Sequence, residues 1–242
     1  MSAGAIFREA LSKLNRYYLP EVSQRELLAA LEAGRPGPLV FLYEAGIEAR
    51  LPHSMLLTRA AAIYFCLCAV SLSDDLTDGE CTYLTDPYRT GSCTQLIFQT
   101  LFLDLLTEAD LPASVLSAAM RDLVVCGGAQ HLEMRTQQWR APIFREVTEG
   151  IAGRLWSAYL QILWGNTWLT KRAAAVGMNI GCAASVWDDI RSRDPRYTTL
   201  PKEEKRDVVV WAMAATHMLR AENLRCLENL LRTIEPVLQR AS

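Results

Sequence analysis

From Ala60 to Leu72 the chain is apolar almost without a break, and it then runs into three aspartates, Asp74, Asp75 and Asp78. That stretch, about 13 residues, is shorter than the ~20 a membrane span needs. It is read as a buried helix, and stable membrane insertion is not expected. The same style continues along the chain. Apolar residues recur at helical spacing, as at 6, 7, 11, 14, 17 and 18, while strand-like alternation is scarce.

Prolines and glycines mark the breaks. A first helix spans Ala5 to Tyr18 before Pro20, and a second runs from Ser23, an N-cap with Glu26 three residues on, to Gly34. Arg35-Pro36-Gly37-Pro38 reads as a turn, and a third helix reaches Arg50. A fourth covers Ser54 to Gly79, and Glu80 to Cys93 reads as a loop. Helices follow over Thr94–Leu106, Ala113–Trp139, 144–170 and 171–192. A polar loop between Pro195 and Pro201 leads to a closing helical pair over 202–242. No repeat or composition shift marks a boundary, so the expectation is all-α: one domain over 1–242, a bundle of about ten helices.

Composition narrows the function. Half the residues are hydrophobic and 21% are charged, which excludes a disordered chain. A net charge of −2 gives no basic face for nucleic acid. Seven scattered cysteines, with only Cys66 and Cys68 close together, read as reduced thiols. Charged residues such as Arg8, Glu9 and Lys13 interrupt any signal-peptide core, and a cytoplasmic setting is expected.

Asp74 and Asp78 are i,i+4 neighbours on a helix, with Asp75 beside them. Two such charges ~5 Å apart repel by roughly 3 kcal/mol at an effective dielectric of about 20. No Lys or Arg lies within six residues to relieve them. A solvated acidic helix end is the alternative, but these charges crowd a C-terminus, the wrong end for the helix dipole. An all-carboxylate set suits a hard cation such as Mg²⁺.

A second apolar helix ends in Asp188 and Asp189, with Ser192 in the place that Asp78 fills in the first set. Here Arg191 and Arg193 could pair locally with the aspartates. Gln130 and Glu133 form a third polar intrusion, one turn apart on an apolar helix. Arg135 is a candidate partner for Glu133, and His131 is assigned no task.

Asp-Asp-x-x-Asp at one helix end, Gln-x-x-acid on a later helix and Asp-Asp at another helix end together resemble the trans-isoprenyl diphosphate synthases, or polyprenyl synthetases. That family has the class I terpenoid synthase fold. The resemblance covers roughly residues 30 to 205 and includes Thr199-Leu200-Pro201. It implies a bundle around a central cavity and two or three Mg²⁺ ions. Asp74, Asp75 and Asp78 would hold metal from one wall, and Asp188, Asp189 and Ser192 from the other, with Gln130 in support. Asp74, Asp75 and Gln130 then carry the catalytic role, the allylic prenyl diphosphate is the substrate, and a homodimer is the default assembly. Arg154, Arg191, Arg193 and Lys202 are candidates for gripping the diphosphate. Ile63, Leu67, Val70, Leu155 and Trp187 are candidate walls for the prenyl chain.

The departures steer the expectation. Where the family has a basic entry, this chain reads Ala33-Gly34-Arg35-Pro36. The residue before the first set is Ser73, only Arg89 follows it nearby, and the later Lys-Thr is replaced within Ile151-Ala152-Gly153-Arg154. A depleted site for isopentenyl diphosphate points to a terpene cyclase. The alternatives are a divergent prenyltransferase and a non-catalytic partner subunit. The small residues Ala69 and Val70 before the first set, with Phe65 and Tyr64 deeper, point to a C15 or C20 substrate.

Overall fold

A computed structural model describes residues 3–34 and 37–241. Among the described residues there is no strand, and eleven helices of eight or more residues carry the chain, as the all-α reading expects. The Cα packing divides the chain into two compact units, one ending at Leu111 and the other beginning at Pro112.

The first unit holds α1 (Ala3–Leu14), α2 (Glu21–Ala33), α3 (Gly37–Glu48), α4 (His53–Asp78) and α5 (Pro87–Glu108). Its axis is α4, buried on every side from Arg59 to Cys66 and packed most extensively on α5. Phe65 stacks on Phe98 with ring centroids 6.0 Å apart, and the Tyr64 hydroxyl donates to the Leu31 carbonyl on α2. At 26 residues α4 is longer than its most lipid-like stretch suggested, and it has the length and composition of a membrane-crossing helix. Burial inside the protein covers 67% of its most apolar window, which is how a core helix acquires that composition.

Within this core Arg59 is fully buried. It donates from Nε to the Ala109 carbonyl at 3.0 Å and from Nη2 to the Asp110 carbonyl at 2.9 Å. A buried cation thereby satisfies acceptors that the end of α5 leaves over. Burial lowers the Arg59 pKa to about 10, with Asp110 opposing the shift.

The second unit holds α6 (Ala113–Arg135), α7 (Ala141–Thr148), a π turn (Glu149–Gly153) and α8 (Arg154–Trp164). These are followed by α9 (Thr170–Ser192), the single turn α10 (Pro195–Thr198), α11 (Lys202–Ala221) and α12 (Arg225–Ala241). Phe144, Val186, Val208, Ala212, Ile234 and Leu238 share one core. A Cβ on Gly181 would stand 2.1 Å from the Ala152 carbonyl oxygen, so a glycine is what lets α9 lie against the π turn.

Several boundaries differ from expectation. The second helix starts at Glu21, leaving Ser23 inside it. Glu26 instead accepts the Thr85 backbone N–H at 3.1 Å. Pro87 opens α5 rather than sitting in a loop, since its missing N–H costs nothing at a first helical position. Residues 144–170 are not one helix: the π turn interrupts them and α8 stops at Trp164. α6 ends at Arg135, short of Trp139. Of the expected turn, Arg35 and Pro36 lie outside the described residues.

Candidate active site

In the first unit α4 ends at Asp78 because Gly79 turns left-handed, at φ 74°. The Asp75 carbonyl accepts the N–H groups of Gly79, Glu80 and Cys81, the last two at 2.8 and 3.1 Å, and this winds the chain back over the helix end. Tyr83 returns on that turn and donates its hydroxyl to Asp75 Oδ2 at 2.8 Å. Burial, then the Asp75 carboxylate, raise the Tyr83 pKa, so the phenol stays a donor. Asp74 and Asp78 are exposed and Asp75 is half-buried. Asp75 and Asp78 make no ion pair among the described residues.

Leu67 and Val70 are half-buried on α4, and one turn further on comes Asp74. Ala69, by contrast, is 2% exposed and belongs to the packed core. Phe65 and Tyr64 are engaged by α5 and α2.

In the second unit Gln130 is half-buried on α6, and His131 is exposed. Glu133 pairs with Arg196 rather than with Arg135. Arg196 also reaches Asp189 Oδ1 at 2.8 Å and Asp194 Oδ1 at 3.1 Å. Burial raises Asp189 to about 7, and Arg196 restrains the rise. Its second oxygen, Oδ2, is buried without a hydrogen-bond partner. Burial opposes the charge on Arg196, but Asp189, Glu133 and Asp194 overcome it and hold the guanidinium charged.

Asp188 lies 3.6 Å from Arg191, whose guanidinium sits 4.6 Å from the centroid of Trp187. The Ser192 hydroxyl donates to the Asp188 carbonyl. Arg154 meets Asp122 Oδ1 at 2.9 Å, while the other Asp122 oxygen accepts from Ser157 at 2.6 Å and Gln161 at 2.8 Å. Lys202 is exposed in the first turn of α11.

Sequence reasoning passed over Arg196 and Asp122. One signal for Arg196 was available: Asp194-Pro195 spells an N-capped turn, and Asp194 accepts the Arg196 backbone N–H at 2.7 Å.

Among the described residues, no three His, Cys, Asp or Glu side chains gather as a closed metal group. The α4 carboxylates still fit Mg²⁺, which commonly takes one or two carboxylates and completes its shell with water and phosphate oxygens.

No family model and no curated protein matches the sequence. Solved structures do match. The geranyltranstransferase of Thermotoga maritima superposes with a TM-score of 0.73 at 14% identity, covering 98% of this chain and 97% of that one. The geranyltransferase of Legionella pneumophila gives 0.68 at 18% identity, over 98% and 93%. The chain has the isoprenyl diphosphate synthase fold. An FPP/GFPP synthase of Zymomonas mobilis, at TM-score 0.68 and 16% identity over 96% and 95%, shares it. On this fold the departures take definite forms. Ser73 is half-buried, and Arg89 is 86% exposed and 3.8 Å from Asp86. Ile151, Ala152 and Gly153 lie in the π turn.

Proposed function

We propose that the chain, read as one class I isoprenoid synthase domain, binds an allylic prenyl diphosphate and breaks its C–O bond. The observation that carries this is three carboxylates at the end of a buried apolar helix, on the isoprenyl diphosphate synthase fold. Bound there, Mg²⁺ would supply the Lewis acidity that stabilises the departing diphosphate. Asp74, Asp75 and Asp78 hold the ion, and Tyr83 fixes the orientation of Asp75. The electron pair of the broken bond leaves with diphosphate. Leu67 and Val70, on α4 towards the core, line the path of the prenyl tail and keep water from the allylic cation.

The neighbours are named as a geranyltransferase, a geranyltranstransferase and an FPP/GFPP synthase. They favour prenyl transfer, in which the double bond of isopentenyl diphosphate captures the cation and a proton is lost. Cyclisation is the second reading. It is favoured by the commitment of Arg154 to Asp122 at 2.9 Å, which takes up a cation that a diphosphate would need. A cytoplasmic homodimer is the proposed working form, and the homodimer is supported by the exposed Val124, Val125 and Leu132, which share one face of α6.

The deciding experiment incubates the protein and Mg²⁺ with geranyl, farnesyl and geranylgeranyl diphosphate, each with and without isopentenyl diphosphate. Products five carbons longer support transfer, and hydrocarbons formed without isopentenyl diphosphate support cyclisation. No diphosphate release under any condition would refute both.

A further inference from the structure

The fold implies a metal on the α9 carboxylates, but the donor set there does not fit one. Each of the three Arg196 nitrogens is taken by a different carboxylate: Nη1 by Glu133 on α6, Nη2 by Asp189 on α9, and Nε by Asp194 in the turn between α9 and α10. Pro195 and the Asp194 cap fix the turn that aims the side chain inward. The Asp189 side chain is 5% exposed, so little water stands between it and the guanidinium 2.8 Å away.

What remains for a metal is meagre. Ser192 is exposed and Asp188 faces Arg191 at 3.6 Å, which leaves Asp189 Oδ2 as the one buried oxygen of this set without a partner. A divalent ion placed there would gain a single buried carboxylate oxygen beside a fixed positive charge that already neutralises the set, a repulsion that Asp75 and Asp78 on α4 do not present.

We infer that Arg196 stands in the place of a metal ion in the α9 carboxylate set, so that Asp189 is not a metal ligand in this chain. The guanidinium bridges α6 and α9 through their carboxylates, as a divalent cation would, but it is covalently supplied and cannot be chelated away. The inference refines the metal part of the proposed function and rests on that proposal only for what binds at α4.

The test is Mn²⁺ titration of the full chain at pH 7, with free ion followed by electron paramagnetic resonance and no substrate present. Asp189→Asn is expected to bind Mn²⁺ within twofold of the unmodified protein. Arg196→Met is expected to gain one equivalent of bound Mn²⁺, which the Arg196→Met/Asp189→Asn double variant loses. A tenfold or greater weakening in Asp189→Asn overturns the inference, as does a folded Arg196→Met chain that gains no ion. Should Arg196→Met fail to fold, Asp189→Asn decides alone. A separate arm, Asp75→Asn, is expected to weaken Mn²⁺ binding at least tenfold. Unchanged binding there would remove the α4 assignment while leaving the Arg196 arms able to support or overturn this inference.

Discussion

The Tyr83 hydroxyl donates to Asp75 Oδ2 at 2.8 Å across a turn closed by the Asp75 carbonyl itself. One residue thus anchors the loop through its backbone and is oriented by that loop through its side chain. Asp75→Ala is expected to abolish diphosphate release while leaving the helical circular dichroism unchanged. Tyr83→Phe keeps Asp75 but frees its rotamer, and should weaken Mg²⁺ affinity by about tenfold or more, since a hydrogen bond to a charged group contributes ~1.5–3 kcal/mol. Full turnover in Asp75→Ala would refute the metal assignment.

Substrate length is tested at Val70, because Ala69 is in the packed core. Val70→Phe should depress turnover of the C20 diphosphate more than that of the C10 diphosphate. Equal loss on all lengths would mean that the prenyl tail does not run along this face of α4.

Arg59→Met removes the donor to the Ala109 and Asp110 carbonyls and leaves the first of them, in a buried residue, without it. A loss of about 1–3 kcal/mol is expected from such an orphaned group. Urea unfolding checks it, and a change under 0.5 kcal/mol (roughly the scatter of an ordinary surface substitution) would remove Arg59 from the structural account.

Asp189 gives a pH dependence of definite sign. Its carboxyl titrates near 7 in the fold and near 3.8 in the free side chain. The folded chain therefore holds the extra proton between those values, and stability falls as pH rises through that window. The slope from this residue is at most ~1.4 kcal/mol per pH unit. Asp189→Asn should flatten the fall between pH 5 and pH 7 in urea titrations. An unchanged slope would show that another group carries it.

The apolar run and the acidic end of α4 were legible because their information is local. Helical spacing, a terminal glycine and three adjacent carboxylates all fall within one segment. The same holds for α9 and for the all-helical class. The fate of the second acidic set was not legible, because Glu133 and Arg196 are 63 positions apart and nothing local announces their pairing. The pairing of Arg154 with Asp122, 32 positions apart, was missed for the same reason. Ala69 shows a further limit: helical spacing places it one turn before the aspartates but does not say which side the neighbouring helices cover.

The π turn at Glu149–Gly153 makes the helical run after Ala141 a place where one residue can be lost. Each residue advances an α-helix by about 100°. A π turn can be read as one extra residue absorbed without unwinding the flanking turns. Deleting a single residue between 149 and 153 would therefore let the run close into regular α geometry with α7 and α8 keeping their facing. A second deletion has no such slack to draw on. It would swing α8 by roughly a quarter-turn against α7 and take Arg154 away from Asp122. In this stretch the chain's descendants are free to lose one residue but not two.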